Sequence, residues 1–192
     1  EDEVGKWLDE QGRFRAHAAT EDGISPRAFP GTADAAHMTT GLEHDELGRR
    51  TEDEGVRVEQ VQKRQRKVET AREREDFEPR EFGDPGADTL VLTWGSNEGA
   101  IREAMAQLDG DPPVRLLSVP YLFPRPDLTE AVEAAADVLV VEANATGQFA
   151  DLIEQDTLER VQRINKYTGV RFKADELAEE IRDAVAKAEV TQ

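Results

Sequence analysis

From Thr89 onward the chain alternates apolar, strand-like runs with amphipathic, helix-like runs, and this constrains its fold more than any other feature. Thr89–Trp94 reads as a buried strand, followed by a helix with Ile101, Ala104, Met105 and Leu108 on one face. Val114–Val119 is the next strand and 127–136 a helix; 138–142 is the third strand, feeding a helix with Phe149, Leu152 and Ile153 inward. A shorter strand at 161–164 precedes a last helix carrying Leu177, Ile181 and Val185 one turn apart, with Asp175 at its start and Lys187 near its end, as the helix dipole favours. Repeated strand–helix units predict an α/β fold in three layers, a mostly parallel sheet with helices on both faces.

In such sheets ligands and partner surfaces gather at the strand-to-helix turns. TWGSNEG (93–99) offers Gly95 for a tight turn, Ser96 or Asn97 as N-cap, and free backbone N–H groups for an anion. Glu98 in the first turn already answers the positive helix end, which favours a simple capped helix there. EANATGQ (142–148) places Glu142 at a strand end, Asn144 in the turn, Thr146 as N-cap and Gly147 where backbone approaches closely. Contact with a substrate or subunit and turn chemistry alone both suit this run. PYLFPRP (120–126) sets Tyr121 and Phe123 among prolines, apolar residues that need a surface to bury against, either the domain's own core or another subunit.

Upstream the pattern differs. Residues 1–50 are poor in aliphatic side chains and hold no clean period, so they read as an extended arm rather than a domain. A helix is expected over 52–75, with Val58, Val61 and Val68 on one side and Lys63, Arg64, Arg66 and Lys67 over much of the rest. That basic cluster suits either an acidic partner or, as the flanking acids favour, a solvated face. Pro79, Gly83, Pro85 and Gly86 mark a linker. The chain opens on Glu1 rather than Met, which points to a piece of something longer.

A formal net charge of −18, from 42 acidic against 24 basic residues, repels phosphate backbones and anionic membranes, so neither nucleic acid nor membrane is an expected partner. Few lysines among so many acids favour adaptation to a salty cytoplasm over an ordinary acidic protein. Without cysteine the chain has no thiol nucleophile, no disulfide and none of the usual ligands of an iron–sulfur cluster. No apolar run has the length of a membrane span or signal peptide, and a cytoplasmic location is expected. His17, His37 and His44 match no zinc spacing, and no nucleophile elbow, Walker loop, dinucleotide fingerprint or HExxH occurs, so neither a catalytic residue nor a metal ligand is nominated.

TEDGISPRAFPGT (20–32), TTGLEHDELGR (39–49) and VQKRQRKVE (61–69) precede TWGSNEGAIREA (93–104) and VVEANATGQ (140–148). In content, order and spacing, over most residues from 6 to 172, the chain resembles the C-terminal part of the α subunit of 2-oxoacid:ferredoxin oxidoreductases. The resemblance implies thiamin-diphosphate-dependent oxidative decarboxylation of a 2-oxoacid to an acyl-CoA, with ferredoxin as electron acceptor. It assigns 1–50 to the tail of an incomplete pyrimidine-side domain, 51–86 to a helix and linker, and 87–192 to a transketolase C-terminal-like domain. Thiamin diphosphate, its Mg²⁺ and an iron–sulfur cluster are then expected mainly outside this chain, with a β subunit as partner. The fragment would serve assembly and active-site shaping and be inactive alone. Its cofactor- or substrate-facing residues would be Ser25, Arg27, Gly95, Ser96, Asn144, Thr146 and Gly147, with Arg27 the only positive charge of its motif and suited to a carboxylate. The other reading is a non-catalytic α/β interaction or small-ligand-binding module.

Overall fold

In the computed structural model, which describes residues 4–73 and 77–191, the chain divides into two units, Glu1–Glu73 and Arg74–Gln192. The second unit follows from the apolar runs. Strand β1 (Arg80–Gly83), β2 (Thr89–Trp94), β3 (Val114–Val119), β4 (Asp137–Glu142) and β5 (Gln162–Asn165) form one sheet in the order β1-β3-β2-β4-β5. β2 lies parallel to both β3 and β4, and β4 parallel to β5, whereas β1 runs antiparallel along the β3 edge.

Successive side chains of a strand point to opposite faces, and here both faces are covered. Val91, Leu116, Leu139 and Val141 pack with Ile101, Ala104 and Leu108 of α2 (Glu98–Leu108) and Leu177 and Ile181 of α5 (Ala174–Thr191). Leu90, Leu92, Leu117 and Val140 face Val132 of α3 (Thr129–Ala134) and Phe149 and Ile153 of α4 (Gln148–Thr157). The expected three-layer α/β architecture is what forms. Val185, one turn beyond buried Ile181, is only half-buried, while Ala184 beside it is buried.

Two features depart from expectation. Part of the expected linker is strand β1, where Phe82 packs on the core and Glu81 accepts from Arg115 Nε of β3 at 2.8 Å. The helix over 127–136 is shorter, because Leu128 and Ala135 already have non-helical backbone.

In the first unit helix α1 (Glu54–Arg72) starts at Asp53, whose side chain accepts from Val56 N at 2.9 Å. The sequence-expected end of this helix, Glu75, lies outside the described residues. The polar side of α1 faces inward: Gln60 and Lys63 are buried while Val58 and Val61 stay exposed. The reason is the neighbour, an arm that offers backbone carbonyls rather than apolar side chains.

The arm has a small cluster of its own, Phe14, Ala16 and Ala35 with Trp7 and Leu8 against them. Two loops of the same chemistry shape it, Asp-Glu-Gln-Gly-Arg at 9–13 and Asp-Glu-Leu-Gly-Arg at 45–49. In each, the aspartate Oδ1 accepts from the amides two and four residues on, at 2.9–3.0 Å. Gly12 and Gly48 take the left-handed backbone the turn requires, with φ of +70° and +79°. The bridges Leu8↔Phe14 and His44↔Arg50 close them.

Candidate functional site

Strand order brings the second unit's expected residues together. After β2 the chain crosses to β3 on one side, yet β4 returns to the other side of β2. The segment leaving β2 enters α2 on one face of the sheet, and that leaving β4 enters α4 on the other. Loops that part in this way at the carboxyl ends of neighbouring strands form the switch point where open α/β sheets place ligand sites. Gly95 and Ser96 lie on one side of that divergence, and Asn144, Thr146 and Gly147 on the other.

The two loops are built differently. Gly95 has φ +71° and nothing within 4 Å of where a Cβ would stand, and Ser96 is exposed. Gly95–Asn97 forms a short 3-10 turn before α2, and neither Ser96 nor Asn97 supplies a side-chain cap, contrary to expectation. Glu98 is instead paired with Arg80 at 2.7 Å and Arg102 at 3.5 Å, which keeps negative charge at this helix start.

The loop after β4 is closed upon itself. Gly147, not Thr146, is the N-cap of α4, and it offers no side chain. Asn144 Oδ1 does that work, accepting from the amides of Thr146 (3.1 Å) and Gly147 (2.7 Å). Asn144 in turn donates from Nδ2 to Glu142 Oε2. Glu142 is fully buried and accepts from Phe149 N at 3.0 and 3.1 Å and from Ala150 N at 3.1 Å. The helix thus carries its own anion where an external one would bind. The sequence places Glu142 at the strand end but carries no signal for this role.

The proline-bounded loop behind β3 is partly absorbed. Leu122 packs on the core, Tyr121 stacks on Phe77 with ring centroids 4.4 Å apart, and Arg125 binds Asp156 of α4 at 2.6 Å. Phe123 remains 73 % exposed.

Ser25 and Arg27 belong to the first unit. α1 grips the stretch before them by donating to its backbone: Gln60 and Lys63 to His17 O, Arg66 to Thr20 O, and Thr70 to Asp22 O, at 2.8–3.2 Å. Gly23 makes this approach possible, since a Cβ there would stand 2.3 Å from Lys67 N and 2.5 Å from Lys63 O. Lys63, only 5 % exposed, also donates to Ser25 Oγ at 2.7 Å. Burial, with Lys67 and Arg64 nearby, holds the Lys63 ammonium below the ordinary lysine value. Arg64 forms a two-pronged bond to Glu43 at 2.9 and 3.1 Å and, by that bond, lowers the Glu43 carboxyl. Much of the basic cluster therefore holds the arm instead of forming the free solvated face that was expected.

Arg27 differs from these. Its guanidinium is exposed, rests 5.6 Å from the Phe29 ring centroid, and pairs with no carboxylate among the described residues. A cleft of about 420 Å³ follows it in sequence, lined by Ala28, Phe29, Pro30, Thr32, Ala35 and His37.

No family model matches the chain. Among curated proteins it is 38 % identical over 159 residues to the α subunit of 2-oxoacid:ferredoxin oxidoreductase 2 of Aeropyrum pernix, covering 80 % of this chain and 24 % of that one. It is 32 % identical over 169 residues to subunit α of 2-oxoacid:ferredoxin oxidoreductase 1 of Sulfurisphaera tokodaii, covering 86 % and 27 %. The chain is homologous to part of the 2-oxoacid:ferredoxin oxidoreductase α subunit. It spans about a quarter of the length of these α-subunit relatives. Among solved structures, the 2-oxoglutarate:ferredoxin oxidoreductase of Magnetococcus marinus, described with 2-oxoglutarate, coenzyme A and succinyl-CoA bound, superposes with a TM-score of 0.72. That match has 29 % identity and covers 93 % of this chain and 32 % of the other. These relatives are oxidoreductase subunits. No described helix of this chain is long and apolar enough to cross a membrane.

Proposed function

We propose that this chain is part of the α subunit of a cytoplasmic, thiamin-diphosphate-dependent 2-oxoacid:ferredoxin oxidoreductase, and that Arg27 receives the substrate's carboxylate. The reaction converts a 2-oxoacid and CoA to an acyl-CoA and CO₂, with the two electrons passing to ferredoxin. The observation that carries the role of Arg27 is its exposed guanidinium, paired with no carboxylate among the described residues of an acid-rich chain and followed in sequence by Ala28 and Phe29 of a cleft. A planar, permanently charged guanidinium suits a carboxylate ligand, and the Phe29 ring limits the orientations it samples.

The residues present do not fit the metal or the iron–sulfur centre of such an enzyme. Among the described residues no three His, Asp or Glu converge as a metal site, and the sequence has no cysteine. We therefore assign thiamin diphosphate, Mg²⁺ and the cluster to the rest of the complex, with a β subunit as partner. In this reading 1–50 is the tail of the pyrimidine-side domain, 51–86 the helix and linker, and 87–192 a transketolase C-terminal-like domain. Its loops at Gly95–Asn97, 120–126 and 144–148 shape the active-site side, where exposed Gly95 and Ser96 suit contact with cofactor or substrate better than the internally bonded Asn144, Thr146 and Gly147.

The test is the assembled enzyme carrying this sequence, purified by affinity in high salt and assayed for 2-oxoacid- and CoA-dependent reduction of a viologen dye. Activity with a brown second subunit is expected, and Arg27→Ala should raise KM for the 2-oxoacid about tenfold or more. A colourless, inactive preparation without a second subunit would favour the interaction-module reading. An unchanged KM in R27A would remove Arg27 from substrate binding.

A further inference from the structure

A buried ammonium is costly unless something compensates it. Lys63 is 5 % exposed and bonds not to a carboxylate but to two neutral oxygens, His17 O at 3.0 Å and Ser25 Oγ at 2.7 Å. An apolar residue or a glutamine would be a cheaper occupant if packing were the only need. Gln60, one turn earlier on α1, already donates to His17 O at 3.2 Å. What Lys63 adds is the bond to Ser25, two residues before Arg27. Ser25 Oγ also reaches Ala18 O at 3.4 Å, so the hydroxyl is held from two sides. Pro26 stiffens the link from Ser25 to Arg27 by fixing its own φ.

We propose that Lys63 is a positioning residue that sets the Ser25–Pro26–Arg27 turn from helix α1 and so aims the Arg27 guanidinium. Its kinetic consequence rests on the reading of Arg27 as the carboxylate receptor. Its structural part does not. The charge makes the Ser25 bond stronger than a neutral donor would, and its reach from the helix fixes the turn before substrate arrives.

The experiment compares Lys63→Met, Ser25→Ala, the double variant and Arg27→Ala in the assembled enzyme, by steady-state kinetics and by hydrogen exchange at the Ser25, Arg27 and Ala28 amides. K63M should raise KM for the 2-oxoacid about tenfold while kcat at saturation stays within about twofold, and it should speed exchange at those amides. S25A, which removes the same bond from its half-buried acceptor end, should act in the same direction should K63M fail to fold. The double variant should be no worse than the more affected single one, the mark of two groups acting through one bond. Multiplying effects, or unchanged exchange in both single variants, would overturn the positioning role. If R27A raises KM and K63M and S25A do not, the role falls while the Arg27 reading stands. If R27A leaves KM unchanged while exchange quickens in K63M, the Arg27 reading falls and the strut remains.

Discussion

Both carboxylate oxygens of Glu142 lie within 3.1 Å of the backbone nitrogen of Phe149, joining the end of β4 to the first turn of α4. The pair sits where the loops of β2 and β4 diverge, so the switch point has one internally satisfied wall and one open wall at Gly95. Glu142→Ala leaves two helix-start amides without their acceptor in a buried place. It should cost about 1–3 kcal/mol, and Glu142→Gln, which keeps the volume and one oxygen, less. Guanidinium unfolding followed by circular dichroism checks this; equal stabilities would show that solvent replaces the carboxylate.

Gly23 is the point of closest approach between arm and α1. Gly23→Ala adds a Cβ at 2.3 Å from Lys67 N on top of a φ of +75°, whereas Gly31→Ala meets a similar φ of +89° in open space. The first should cost on the order of 1–3 kcal/mol more than the second. Thermal unfolding and limited proteolysis of the two variants separate contact from backbone strain; identical profiles would deny the contact.

These two glycines also mark what sequence patterning can and cannot reach. β2 and β3 were legible because Thr89–Trp94 and Val114–Val119 are apolar runs bounded by turn residues. Strand β1 was not, since Phe82 is its single large apolar residue and Pro79 and Gly83 read as a linker. Proximity points to Thr146 as the cap of α4, yet Asn144 and Glu142 do that work from three and five residues before Gly147. α1 misled because periodicity assumes a helix packs on side chains, and here Lys63 and Gln60 turn inward towards carbonyls. Among the candidate residues, the five on the sheet edge followed from strand–helix alternation. Ser25 and Arg27 lie in irregular backbone where only motif resemblance could point.

Acid should loosen the arm. His17 is held below the ordinary imidazole value near 6.5 first by burial, with His44, Lys63 and His37 adding repulsion against the bond to Met38 O. Between that lowered value and 6.5 the unfolded chain takes a proton that the folded one resists. This contribution to stability is therefore full above 6.5 and lost as pH falls through the window. The unfolding midpoint should drop on acidification through that range, and less so in His17→Asn. An identical pH profile for the variant would assign the drop to another group.

Low salt should weaken the fold. With a net charge of −18, self-repulsion grows as screening falls. Circular dichroism on dilution from molar to millimolar KCl should show loss of helical signal. A flat titration would mean that the ion pairs suffice without added salt.

The grip of α1 on the arm has a consequence for order of assembly. Its donors Gln60, Lys63, Arg66 and Thr70 lie 43 to 48 residues after the carbonyls they hold. The ribosome delivers the arm first and its clamp later. Until then the loops at 9–13 and 45–49, which close on themselves in a few residues, are the parts able to take shape. The turn that carries Arg27 must wait for the helix, so a stalled or truncated chain ending before Gln60 would present that motif without its support.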